Sequence, residues 1–239
     1  MQSKDNCKLC YIRHVCFPQV LNLIQQETFQ DNVLYATTKI EKGSYLVRLD
    51  QTFENLHMIK HGSFKKSITK LDNREQIAAF YFQGEVMGFR ASCEKKYTGN
   101  IIALEDSIVC TIKYDALEKM AQQYPDFQKN LLAAMSQRLS TQDVTILNAT
   151  AKERVIAFLL QTFTRLYKPQ ANALNALKGV FQLSMSRDEI GAYLGLNAET
   201  ISRMLTELSE ENLIKTSGKH IELINQEALY KKIDTIMPQ

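Results

Sequence analysis

Nowhere in the 239-residue chain is there a run of about 18 uncharged apolar residues, so no membrane-spanning helix is expected. Its first residues, MQSKDNCKLC, lack a basic stretch followed by an apolar segment, so no export signal is expected and the location should be cytoplasmic. No internal repeat or low-complexity tract is present. A strong charge of either sign is missing too. The 29 Lys and Arg stand against 26 Asp and Glu, and the net +3 permits nucleic-acid binding without arguing for it. No Ser/His/Asp constellation is visible and the four histidines (His14, His57, His61, His220) are scattered, so the chain does not read as an enzyme. Five cysteines, an odd number, weaken a disulfide framework, which a reducing cytosol disfavours anyway.

What is present is a globular composition, 45% hydrophobic and 23% charged, with material for a core. The length suggests two domains of ordinary size. Val20 to Gln26 is a short helical candidate. From about Val33 to Tyr114 the chain runs in short β-rich stretches punctuated by glycine, which suggests a barrel or jelly roll. LHMIKHGSFKKSITK, the turn residues LDNRE and then QIAAFYF read as antiparallel strands joined by a tight turn. From Asp115 onward the period is helical. Leu131, Met135, Leu139, Ile146, Val155 and Leu159 recur as one apolar stripe on a long helix or helix pair. A core helix packed on the barrel is the plain reading. A dimerisation helix accounts better for the length, because a stripe needs a partner along its whole extent. Lys168 to Gly179 is turn-rich and reads as a loop.

SMSRDEIGAYLGLNAETISRMLTELSEENLI is the most informative stretch. Ser186 and Glu189 fit a capping box, with Ile190 and Leu194 as the apolar face of the helix it opens. Gly195 ends that helix, Leu196 is a plug, and Asn197 is an N-cap for the next. The second helix should bury Ile201, Leu205 and Leu208 and expose Glu199, Ser202, Arg203 and Thr206. That pattern is a helix-turn-helix, and IKTSGKHIELI, folding about Ser217-Gly218, supplies the hairpin of a wing. Residues 151–239 hold 11 Lys and Arg against 10 Asp and Glu. Binding to double-stranded DNA would then rest on local contacts rather than on a broad basic field.

Three cysteines fall within ten residues in NCKLCYIRHVCFP, Asn6 to Pro18. By themselves they fit an iron–sulfur cluster or a zinc site with His14 equally well. Taken with the rest, the chain resembles the cyclic-AMP receptor/FNR (fumarate and nitrate reduction regulator) superfamily of bacterial transcription factors. The match is to the FNR branch and runs from Cys7 to about Ile233. It rests on Cys7-x2-Cys10-x5-Cys16, on Cys110 in SIVCTI, and on DEIGAYLGLNAETISRML followed by a wing. The resemblance implies an α+β chain: a cyclic-nucleotide-binding-like β-roll (jelly roll), a long dimerisation helix and a winged helix-turn-helix. The expected division is 1–19 cysteine arm, 20–122 roll, 123–150 dimerisation helix and 151–239 DNA-binding domain.

The same resemblance implies a [4Fe–4S] cluster on Cys7, Cys10, Cys16 and Cys110 that senses oxygen, with Tyr11 and Val15 shielding it and Cys93 left aside. It implies a homodimer on an inverted repeat of TTGAT, read by Glu199, Ser202 and Arg203. Ala198 stands where the cyclic-AMP branch has another base-contacting Arg. Gly84-Glu85 reads as a corner of the roll. The phosphate-gripping Arg-Ser is replaced by roughly Asn100-Ile101, with Arg90-Ala91-Ser92 too early, so no cyclic nucleotide is expected. Leu49-Asp50 stands where many relatives have Gly-Asp, which leaves that turn open. Asp143 would set a repulsive charge near the dimer seam, and the turn Leu71 to Glu75 would meet RNA polymerase. Haem, zinc or a thiol switch in place of the cluster, or an iron–sulfur electron-transfer protein, are the alternatives.

Overall fold

Gly62 marks the organising feature of the N-terminal half, because the chain there leaves one sheet for another. In the computed structural model, which describes residue 10 and residues 29–69, 75–129, 132, 149–167 and 179–233, the chain divides into units of residues 1–140 and 141–239. A π-helical turn, Phe29–Val33, leads into strand β1, Leu34–Ile40. The next strands are β2 (Tyr45–Val47), β3 (Asn55–His61), β4 (Phe64–Thr69) and β5 (Glu75–Tyr81). β6 (Val86–Met87), β7 (Asn100–Ala103) and β8 (Ser107–Lys113) complete the set. They form two antiparallel four-stranded sheets, ordered β1-β8-β3-β6 and β2-β7-β4-β5. This is the β-roll that the sequence predicts, with its core of Leu56, Ile59, Phe64, Ile101 and Val109.

The run LHMIKHGSFKKSITK is two strands in two sheets. At the corner Gly62 takes φ +89°, and a Cβ there would fall 2.1 Å from Ser107 Oγ. Only glycine meets both demands. β4 and β5 pair antiparallel from Phe64↔Tyr81 to Thr69↔Glu75, so Glu75 opens a strand rather than ending a turn. Residues 71–74 of the expected polymerase-facing turn lie outside the described residues. Helix α1 (Phe89–Glu94) and helix α2 (Tyr114–Gln123) follow β6 and β8, and α2 sends Leu117 and Met120 into the core.

In the second unit the first described helix opens on a local cap. Thr150 and Glu153 form a capping box, Thr150 N–H donating to Glu153 Oε2 at 2.7 Å and Glu153 N–H to Thr150 Oγ1 at 3.3 Å. A new helix, α3 (Ala151–Tyr167), therefore starts here. Val155 and Leu159, each 1% exposed, are buried on this helix. Leu131, Met135, Leu139, Ile146 and Asp143 lie outside the described residues, as do the helical candidate Val20 to Gln26 and residues 168–178 of the expected loop. Strand β9 (Val180–Gln182), helices α4 (Arg187–Leu194) and α5 (Ala198–Glu210), strands β10 (Ile214–Ser217) and β11 (His220–Leu223), and helix α6 (Gln226–Lys231) follow. The wing hairpin is as expected. Its sheet has a third strand, β9, paired with β11 from Val180↔Glu222 to Gln182↔His220, which the sequence does not announce.

Candidate nucleic-acid interface and cysteine site

The capping box on α4 is complete: Glu189 N–H donates to Ser186 Oγ at 3.2 Å and Ser186 N–H to Glu189 Oε2 at 2.7 Å. Gly195 stops the helix at φ +69°. Asn197 Oδ1 then accepts from Thr200 N–H at 2.7 Å and opens α5. Leu196 N–H donates to Gly191 O at 2.9 Å, and a Cβ on Gly191 would lie 2.5 Å from Leu196 O. The tight turn therefore needs a bare α-carbon in the preceding helix. Arg154 adds a long-range anchor absent from the sequence reading, its Nη1 donating to Leu194 O at 2.8 Å. No local signal betrays it, since the partners are 40 residues apart.

α5 is two-sided. Ile201, Met204, Leu205 and Leu208 are buried, while Glu199, Ser202, Arg203 and Thr206 are exposed. Glu199, Ser202 and Arg203, at i, i+3 and i+4, share one face in the first two turns. Ser202 Oγ donates to Ala198 O at 2.9 Å, and rotation of the exposed hydroxyl frees the same proton for an outside acceptor. Arg203 makes only a loose ion pair, Nε to Glu207 Oε1 at 3.9 Å, with its side chain 66% exposed. The far end of α5 is tied down: Lys152 pairs with Glu207 and Glu211, and Lys232 with Glu211 at 3.2 Å. Hydrogen bonds from these two ammonium groups hold the Glu211 carboxyl below its ordinary pKa. Arg187 Nη2 donates to Gly218 O at the wing tip at 3.1 Å, and burial lowers its pKa.

Cys110 lies in the middle of β8, half-buried, between Thr37 of β1 and Met58 of β3. Its Sγ is 3.8 Å from Thr37 Oγ1. Cys10 is half-buried as well, and Cys93 is exposed on α1. Burial raises the Tyr114 phenol; a hydrogen bond with Ser92 opposes the shift and Glu118 adds to it. Cys7, Cys16, His14, Tyr11 and Val15 lie outside the described residues. Among the described residues, no three His, Cys, Asp or Glu side chains are grouped to hold a metal ion. Cys110 is nonetheless a fit donor for a cubane: a reachable thiol on a rigid strand with a hydroxyl partner in place.

Gly84 turns at φ +83°, and Glu85 Oε2 accepts from Phe82 N–H at 3.1 Å, which makes a corner of the roll. Ile101 is 2% exposed, and Asn100 Oδ1 accepts from Leu49 N–H at 2.9 Å. The Leu49-Asp50 turn resolves with Asp50 in the left-handed region, φ +62°, a conformation aspartate tolerates. Arg90 is spent on a loose pair with Glu94 at 3.8 Å, and Ser92 on Phe89 O at 2.7 Å. Lys66, its pKa lowered by burial and by Arg90, donates to Thr98 Oγ1 at 2.6 Å. Among the described residues no helix is long and apolar enough to cross a membrane.

A β-roll followed by a winged helix-turn-helix defines a class, that of two-domain transcription regulators. Residues 37–124 match the cyclic nucleotide-binding domain family and residues 153–232 the Crp-like helix-turn-helix domain family. The chain is 31% identical over 227 residues to the fumarate and nitrate reduction regulatory protein of Yersinia pestis, covering 94% of this chain and 88% of that one. It is 30% identical over 226 residues to the transcriptional activator protein Anr of Pseudomonas protegens, covering 93% and 90%. The solved structure of FixK2 from Bradyrhizobium japonicum is similar with a TM-score of 0.71 at 30% identity, over 82% of this chain and 95% of that one. The chain belongs to the FNR branch of the cyclic-AMP receptor/FNR superfamily.

Proposed function

We propose that this protein is a cytoplasmic, oxygen-responsive transcription regulator that binds inverted TTGAT repeats as a homodimer under anaerobic conditions. The exposed face of α5 carries the reading, because it offers Glu199, Ser202 and Arg203 together, with Arg203 held only by a loose ion pair and Ser202 only by a bond within its own helix. In the major groove Arg203 donates to guanine O6 and N7, Glu199 accepts from a cytosine amino group, and Ser202 meets a thymine or the adjacent phosphate. A dimer sets two such helices about one DNA turn apart. The tied C-terminal end of α5, at Lys152 and Lys232, keeps the reading face at a fixed angle within its domain.

On the sensing side, Cys7, Cys10, Cys16 and Cys110 would hold a [4Fe–4S] cluster, which when bound supplies an oxygen-labile tie between the N-terminal arm and the roll. Three of these thiolates are near neighbours in sequence and the fourth stands on β8, so ligation orders residues 1–19 against a rigid strand. That ordering favours the dimer, and loss of it lets the DNA-competent population fall. Relatives named as fumarate and nitrate reduction or anaerobic regulatory proteins support this half of the reading. Contact with RNA polymerase through Leu71 to Glu75, and an empty role for cyclic nucleotides, belong to the same proposal.

The test begins with protein purified without oxygen. About four irons and four sulfides per chain, with a visible absorption that fades in air, are expected. Arg203→Ala should keep that iron and lose specific binding to TTGAT repeats in a gel-shift assay. Colourless wild-type protein, even after reconstitution, would remove the cluster, whereas normal site binding by Arg203→Ala would remove the contact assignment.

A further inference from the structure

β1 and β8 are antiparallel neighbours, and Thr37 is the residue directly opposite Cys110. Opposed residues of such a pair bring their β-carbons to about 5 Å, close enough for a hydroxyl to reach a sulfur. Here Thr37 Oγ1 and Cys110 Sγ are 3.8 Å apart, within range for a hydrogen bond to sulfur. Branching at Cβ limits Thr37 to few rotamers in a strand, so the hydroxyl is held at that place by the backbone itself. On the other side of Cys110 stands Met58, 1% exposed, whose thioether has no proton to give.

While Cys110 is a thiol, either atom can be the donor. A metal-bound cysteine is a thiolate and has no proton, so the direction of the bond is then settled: Thr37 donates and the sulfur accepts. A hydrogen bond to a ligand sulfur withdraws electron density from it, raises the potential of the centre and makes the ligand harder to displace. We infer that Thr37 is a positioning residue for the Cys110 thiolate, donating its hydroxyl proton to the sulfur and so setting the stability of whatever iron centre Cys110 holds. The inference rests on the cluster reading, but it concerns a residue of β1 that is no ligand.

Thr37→Val tests it, because valine keeps the volume and the β-branch and removes only the hydroxyl. Full-length wild type, Thr37→Val and Thr37→Ser would be reconstituted without oxygen. Their iron content, reduction potential, rate of iron extraction by a chelator and thermal unfolding would then be compared. Thr37→Val should load iron and unfold as wild type does, titrate at a lower potential, and give up iron roughly tenfold faster. Thr37→Ser should restore both. Wild type without iron overturns the cluster reading and this inference with it. Iron-loaded wild type, with Thr37→Val unchanged in potential and extraction, overturns the donor role alone. A Thr37→Val protein whose unfolding midpoint drops along with its iron retention shows a packing role and also overturns it.

Discussion

His57 is 7% exposed inside the roll, with a polar partner at each ring nitrogen. Tyr97 OH donates to Asn55 O at 2.6 Å, which leaves its oxygen to accept from His57 Nε2–H at 3.3 Å. Nδ1 then accepts from Thr111 Oγ1 at 3.3 Å, and the ring is neutral. Burial lowers its pKa from 6.5 to about 4. The unfolded chain therefore binds the extra proton first, and the sign follows: full stability above pH 6.5, lost as pH falls from there toward about 4. The loss amounts to about 3 kcal/mol. Urea unfolding of wild type and His57→Gln between pH 7.5 and 4.5, each midpoint read against pH, should show a steeper decline for wild type. Equal slopes would mean that His57 is not held neutral. Nothing in the sequence marks this residue, which looks like one of four scattered histidines. Its partners stand 40 and 54 residues away, and only the pairing of β3 with β8 brings Thr111 across.

At the scale of elements, α4 and α5 were legible because every signal that bounds them is local. Ser186 with Glu189, Gly195, and Asn197 with Thr200 each act within one turn. β9 was not, since three residues make a strand only when β11 is there to receive them. The stripe from Leu131 to Leu159 was read as one helix or a pair; the Thr150–Glu153 box is the local sign that a helix begins at Ala151, where the expected DNA-binding domain starts. Gly191 sits between these cases. Alanine there gains about 1 kcal/mol of helix propensity. It also drives a Cβ to 2.5 Å from Leu196 O, a backbone atom that cannot swing aside. Overpacking of this kind costs about 1–3 kcal/mol, so the clash wins. Gly191→Ala should speed amide exchange across residues 187–210 and weaken TTGAT binding together. Exchange as slow as wild type would show that the turn can relax.

For the molecule as a whole, the proposed function requires that a cluster held by one unit control DNA binding by the other. Residues 151–239 carry 11 Lys and Arg against 10 Asp and Glu, a net of +1, so a single reading domain has little general attraction for DNA. Two domains joined as a dimer gain through effective concentration, roughly a hundredfold or more, without any new contact to a base. A weakly charged reading head thus makes association a sensitive control point, where a strongly basic one would bind as a monomer regardless. Each unit has its own core, so the sensor can be damaged while the reader stays folded. Cys110→Ser, a change of one atom on β8, should lose iron, sediment as a monomer and bind TTGAT repeats roughly a hundredfold more weakly than anaerobic wild type. Amide exchange over residues 187–223 should be unchanged. Adding Asp143→Ala, which removes the repulsive charge that the family resemblance leads us to expect near the seam, should restore the dimer and the binding without restoring iron. Tight binding by Cys110→Ser alone would uncouple sensor from reader. Loss of exchange protection in the winged helix would make the defect one of folding rather than assembly.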